Sequence, residues 1–251
     1  MQRTRFGWWS WRIRMDLWGD PKSTMSFKRS SLPLLPCLTP SQFPLISGKR
    51  QDYTLSIFRK NRGCGKSTGK TSWRGESEHD DYQTLLDHLL QLPQLTQYEK
   101  KGVVIAGYSY GGMIAMSIPP LRAIPCVTAY MLVSLPLSYT WALSLFNTRF
   151  HVDQCPWLSD PNTPLLLIYG DEDSMSTVSK NNAFCPQSWH HVHPIRVNIQ
   201  ERHVYGINTG QEQVKMRMSV QVEGVDHFWS NQESVLQSII TPWISLLHTL
   251  D

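Results

Sequence analysis

Two short stretches hold residues whose types and spacing could do chemistry. One is Asn61-Arg-Gly-Cys-Gly-Lys-Ser-Thr-Gly-Lys70, in which Gly65-Lys66-Ser67 matches the tail of a G-x-x-x-x-G-K-[ST] phosphate loop. The other is Gly107-Tyr-Ser-Tyr-Gly-Gly112, a G-x-S-x-G pattern. A phosphate cradle needs small residues so that backbone N–H groups converge on the anion, and a helix N-terminus to supply a fixed dipole. Lys60 stands where the first glycine should be, and Gly69 with polar sequence follows where the helix should start. A helical apolar period resumes only at Tyr82. Nucleotide binding through Gly65-Lys66-Ser67 is therefore a distant alternative.

The serine motif is better placed. It directly follows Gly102-Val-Val-Ile-Ala106, a continuous apolar run of the kind buried on both faces of a parallel sheet, and precedes a helical stretch over 111–118. That context predicts a nucleophile elbow, a tight strand-to-helix turn that lifts the Ser109 hydroxyl clear of the sheet. Gly107 and Gly111 flank the serine because a Cβ there would meet the neighbouring strand or helix. A serine nucleophile needs a base, and the base needs an acid to orient it. Downstream, the apolar run 165–169 leads into Gly170-Asp-Glu-Asp173, and His227 sits in Val222-Glu-Gly-Val-Asp-His-Phe-Trp229, ahead of a closing helical stripe. Both groups are expected at the carboxyl ends of strands, where open α/β sheets place their working residues.

Other candidates are poorer. His190-His191-x-His193 has no carboxylate or cysteine at a supporting spacing, so these read as surface histidines. Cys64 and Cys126 have no evident base and read as inert thiols.

The elements that must hold these groups alternate. A strand is predicted over 53–58, a helix from the spacing of Tyr82, Leu85, Leu86, Leu89 and Leu90 with Pro93 as its stop, then strands at 102–106, 129–134 and 164–169. Met216, Met218, Val220 and Val222 alternate as another strand, and Val235, Leu236, Ile239, Ile240, Trp243, Ile244 and Leu247 form the closing helix. Strands alternating with helices predict an α/β fold with a mostly parallel sheet. Residues 178–214 show no period and read as a loop insertion.

The 251 residues suit a single domain, here 51–251, behind a leader over 1–50 that is basic, rich in Pro and Ser and expected to be poorly ordered. That leader holds nine Lys and Arg against Asp16 and Asp20, a charge of +7, so the overall +4 leaves −3 for the rest. A basic nucleic-acid surface on the domain is therefore not supported. Five cysteines, odd in number and without a C-x-x-C pair, fit free thiols in a reducing, cytoplasmic setting. No run of about 18 apolar residues is present, which argues against an integral membrane segment. The Arg- and Trp-rich start, MQRTRFGWWSWRIRM, has the composition of transit peptides and of interfacial segments, so mitochondrial targeting or membrane-surface association is the alternative location.

Together these motifs resemble the α/β-hydrolase superfamily, in particular a branch of small microbial, fungal and plant hydrolases. Its R-G-x-G-x-S-x-G, G-Y-S-[FY]-G-[GA], Y-G-D-x-D and G-[AV]-[DS]-H-F patterns stand here at 62–69, 107–112, 169–173 and 224–228. The match spans roughly 50–177 and 216–250. The resemblance implies an α/β-hydrolase fold with Ser109 as nucleophile, Asp173 rather than Asp171 as acid, His227 as base and the backbone N–H of Tyr110 as one oxyanion donor. The motifs specify no substrate; the chemistry expected of such a serine is cleavage of a small-molecule acyl substrate, an ester or related compound, with water and no cofactor, and Asp226 reads as a solvated neighbour of His227 rather than a triad member.

The chain departs from the family pattern before Arg62. No His-Pro…Gly-Gly turn, the family's source of a second oxyanion donor, occurs in residues 1–52, and the strand candidates SLPLLPCL and QFPLI carry prolines that a central strand excludes. The sheet is thus expected to be incomplete at its N-terminal strands, or to be filled there by another segment. The alternative to an active enzyme is an impaired α/β-hydrolase-like binding protein.

Overall fold

The computed structural model describes residues 10–19, 51–60, 62, 68–72, 74–91, 99–121, 127–147, 150, 154–160, 162–185, 190–195, 197–198, 203–204, 217–230 and 232–247. In chain order these form β1 (Ser10–Gly19), β2 (Gln51–Lys60), α1 (Glu76–Gln91), β3 (Glu99–Tyr108), α2 (Tyr110–Ser117) and β4 (Val127–Val133). There follow the short α3 (Thr140–Leu143), a 3-10 turn at Pro156–Leu158, β5 (Leu165–Gly170), α4 (Val178–Phe184), β6 (His190–Ile195), β7 (Val197–Asn198), β8 (His203–Val204), β9 (Arg217–Val222) and α5 (Glu233–Leu247). Among the described residues one sheet has seven strands in the order β2-β1-β3-β4-β5-β9-β6, and β7 pairs with β8 apart from it. From β3 to β6 every pairing is parallel, whereas β1 runs antiparallel to both β2 and β3. No helix among the described residues is long and apolar enough to cross a membrane.

The run 102–106 is apolar at every position after Gly102 because the sheet is covered on both sides. Val103 and Ile105 join Tyr82, Leu86 and Leu89 of α1 and Met113 and Ile114 of α2 in one core. The intervening Val104 and Ala106 face the other way, onto Ile239, Trp243 and Ile244 of α5. β4 and β5 divide likewise, Tyr130, Leu132, Leu165 and Leu167 to the first core, Met131, Val133, Leu166 and Ile168 to the second. The period of two along the strands and the helical stripes of α1 and α5 are thus the two sides of each layer contact. The fold is α/β with a mostly parallel sheet flanked by helices.

Two segments differ from their sequence reading. The place beside β3 is filled not by a proline-bearing candidate but by Ser10–Gly19, taken from the basic leader, whose register sets Ile13 opposite both Ile57 and Ile105. The segment contains no proline, so it gives up no ladder donors on either side. The patternless stretch 178–214 likewise contains α4 and β6, the latter the outermost strand of the sheet among the described residues and parallel to β9, with Pro194 at the irregularity between Val192 and Ile195, a place that tolerates proline.

Candidate active site

Ser109 occupies the turn between β3 and α2 with φ 53 and ψ −126, a sparsely populated region for a residue with a Cβ. Such a conformation costs about 1–3 kcal/mol and persists only where neighbours hold it. Here the Ser109 N–H donates to the Val133 carbonyl at 2.9 Å, and its own carbonyl accepts from Gly112 N at 2.8 Å and Met113 N at 3.3 Å. Gly107 permits the turn to close: a Cβ on it would lie 2.2 Å from the Gly111 carbonyl oxygen and 2.5 Å from Gly112 N. Those are backbone atoms that cannot step aside. Gly107→Ala is accordingly expected to cost about 3 kcal/mol or more, a fall in Tm of roughly 6–12 °C by thermal melting, and an unchanged Tm would show that the turn is not as tight as described.

At the end of β5 the chain turns through Asp171 to Asp173, and at the end of β9 through Glu223 to Trp229. These two loops are joined directly. Gly224 N donates to Asp171 Oδ1 at 2.7 Å, Asp171 N to the Val222 carbonyl at 3.0 Å and Glu172 N to the Val225 carbonyl at 3.1 Å. Gly170 allows that approach, since a Cβ there would stand 1.8 Å from the Val225 carbonyl oxygen. Asp226 Oδ1 accepts from Phe228 N at 2.9 Å and Trp229 N at 3.1 Å, which closes the turn around His227. The indole N–H of Trp229 donates to Ser134 Oγ at 2.8 Å and ties the same turn to the end of β4.

The result is a continuous chain of contacts. Ser109 Oγ lies 2.8 Å from His227 Nε2, and His227 Nδ1 lies 2.9 Å from both Asp173 oxygens. Asp173 Oδ1 also accepts from Met175 N at 2.8 Å and Ser176 N at 3.1 Å. All three side chains are buried, with 8%, 3% and 3% of Ser109, Asp173 and His227 exposed. With the carboxylate oxygens turned to it, Nδ1 is the protonated ring nitrogen, which leaves Nε2 a lone pair toward the serine hydroxyl. A hydroxyl, imidazole and carboxylate so arranged can transfer a proton from oxygen to nitrogen and return it. Of the two acids that spacing left open, Asp173 touches His227 and Asp171 serves the loop junction instead. Tyr110, the expected donor, is the first residue of α2, where helix N-termini favour negative charge.

The loop opened by Arg62 is fixed at its ends. The Arg62 guanidinium forms a two-pronged bond with Asp81 of α1, Nε to Oδ2 and Nη2 to Oδ1 both at 2.6 Å, and its pKa is raised by that bond first. Buried Glu78 accepts from Ser72 N at 2.7 Å and from the Ser72 hydroxyl, and the Tyr110 phenol reaches the Ser72 carbonyl at 3.5 Å. Burial, then the charge of Glu78, pushes the Tyr110 phenol up, so it remains a neutral donor. Thr68 to Ser72 are not helical and α1 begins only at Glu76, so the helix a phosphate loop needs is not found there. Residues 63–67, with Cys64 and Gly65-Lys66-Ser67, lie outside the described residues, as does Cys126. The thiols of Cys155 and Cys185 are pushed up to about 12 by burial, which keeps them protonated. His190, His191 and His193 fall on β6, and among the described residues no group of three or more His, Cys, Asp or Glu is placed to hold a metal ion.

The sequence missed what stands next to the elbow on its other side. Ser10, the first residue of β1, pairs with Tyr108, and Gly19, the last, pairs with Gln51 at the far end. The carboxyl end of β1 therefore lies at the end of the sheet away from Ser109. The alternation of Trp11, Ile13, Met15 and Leu17 with Arg12, Arg14 and Asp16 is the signal that marks the strand.

No protein-family model matches the chain, and no curated protein matches it. Among solved structures it is similar to an α/β serine hydrolase homologue from Coxiella burnetii, at 18% identity and a TM-score of 0.42 over 79% of this chain and 70% of that one. It is similar also to an esterase from Pyrococcus furiosus, at 20% identity and a TM-score of 0.48 over 77% of this chain and 70% of the other. A third is an α/β hydrolase enzyme from a Medee basin deep-sea metagenome library, at 13% identity and a TM-score of 0.43 over 77% of this chain and 80% of that one. What the chain can do chemically is read from the contacts among Ser109, His227 and Asp173.

Proposed function

We propose that this protein is a serine hydrolase that cleaves an ester or related acyl bond of a small molecule through an acyl-enzyme on Ser109. The observation that carries the reading is the buried run of short contacts from Ser109 Oγ through His227 to Asp173, at 2.8 and 2.9 Å. Ser109 Oγ attacks the acyl carbon as its proton passes to His227 Nε2, and Asp173 stabilises the imidazolium. The carbonyl oxygen takes the negative charge opposite the backbone N–H of Tyr110. Collapse expels the alcohol, which leaves with the proton from His227. Water then repeats the cycle, releasing the acid and restoring the serine. The exposed apolar side chains Tyr139, Trp141, Leu145 and Phe146 lie on the segment that leaves the carboxyl end of β4, and they are the apolar surface proposed here to receive the acyl group.

The test is labelling by a fluorophosphonate. Wild-type protein is expected to be labelled at Ser109 and the Ser109→Ala variant not at all; folded wild-type protein that stays unlabelled would overturn the proposal. One observation favours a second reading, a binding protein of impaired activity. Because β1 is antiparallel, its carboxyl end at Gly19 lies away from Ser109, so among the described residues no strand end other than that of β3 presents an oxyanion donor in the family manner, and one donor fewer costs about 10²–10³ in turnover. Slow but measurable turnover of an activated ester separates the weak enzyme from the binding protein, which would show none.

A further inference from the structure

We infer that Tyr108 is a positioning residue for His227, tying the base to the strand that carries the nucleophile. This rests on the Ser109 reading above. The Tyr108 hydroxyl donates to the His227 carbonyl oxygen at 2.6 Å, across 119 residues of sequence. Its ring lies 5.6 Å from the imidazole, centroid to centroid, at an interplanar angle of 35°. Tyr108 is the last residue of β3 and is bonded covalently to Ser109. The bond therefore spans the same gap as the Ser109–His227 contact, from the same strand to the same residue, but through the main chain of His227 rather than its ring.

The two ties do different work. The contact between Ser109 Oγ and His227 Nε2 breaks and reforms in each turnover as the proton moves. During acylation the serine oxygen belongs to the substrate, so it cannot hold the histidine in place. The Tyr108 bond is untouched by those steps. With Asp226 closing the turn on Phe228 N and Trp229 N, it fixes the His227 backbone from two sides while the ring stays free to serve first the serine and then the leaving group. The phenol is suited to this. Burial, and after it the charges of Asp173 and Asp226, push its pKa up, so its proton stays available to the carbonyl at neutral and alkaline pH.

A purely structural tyrosine would also give a short bond, so the test must separate alignment from stability. Tyr108→Phe keeps the ring and removes the hydroxyl. Loss of one neutral hydrogen bond predicts a roughly 3–10-fold lower rate of fluorophosphonate labelling and an equal fall in kcat on p-nitrophenyl acetate, with KM within about twofold of wild type. The decisive measurement is the same substitution in a His227→Ala background, where the tie has no imidazole to align and no further loss of the residual rate is expected. Wild-type labelling rates in Tyr108→Phe, or an equal loss with and without the imidazole, would overturn the positioning role and leave the serine reading standing. Unlabelled wild-type protein would overturn both.

Discussion

Ser109→Ala is expected to lower kcat on an activated ester such as p-nitrophenyl acetate by at least about 10³-fold, with Tm unchanged within a few degrees. The asymmetry follows from which atoms hold the elbow. The bonds that keep Ser109 in its strained conformation run through its backbone, N–H to Val133 and carbonyl from Gly112 and Met113, and alanine retains all of them. Its side chain meets His227, so removing Oγ deletes the attacking atom and little else. His227→Ala is expected to reduce kcat comparably, because a nucleophile without its base is nearly as poor as none. The double variant should be no worse than either single one, as befits residues that act as a unit. Additive losses, or turnover of Ser109→Ala near the wild-type level, would place the chemistry elsewhere.

How much of this could be read from the sequence depended on whether the signal was local. β3, β4 and β5 are buried on both faces, and burial on both faces writes itself as an unbroken apolar run, so the runs near 102–106, 129–134 and 164–169 stood out. Ser109, Asp173 and His227 lie where those runs and β9 end, which is why order along the chain sufficed to bring them into view. β1 is written equally clearly, in the alternation of Trp11 through Leu17, but the basic, Arg- and Trp-rich composition around it is that of a leader. Net charge is a property of the surface and says nothing of pairing. β6 was not legible at all: His190-His-Val-His-Pro-Ile195 neither alternates nor runs apolar, and its place is set by the neighbouring β9. Neither could the tie from Tyr108 to His227 be foreseen, since no periodicity relates residues 119 positions apart.

Asp173→Asn is expected to cost kcat about 10³–10⁴-fold while Asp171→Asn costs less than about threefold, although the two acids are separated by one residue. Asp173 Oδ1 accepts from Met175 N and Ser176 N, and an asparagine there would keep its carbonyl oxygen on those two donors. Its amide NH₂ would then point at His227 Nδ1. A donor facing a donor reverses the tautomer: Nδ1 would give up its proton and accept, and Nε2 would carry the proton toward Ser109. In that state the imidazole cannot take the serine proton, although every heavy atom remains in place. Asp171 presents the opposite case. Its Oδ1 accepts from Gly224 N at 2.7 Å, and an asparagine oxygen accepts the same bond, so the loop junction and the triad are preserved. Measured kcat and labelling rates for the two variants check this, with melting temperatures to show that both fold. Equal losses would mean that the carboxylates act through loop structure alone; a loss confined to Asp171→Asn would reassign the acid.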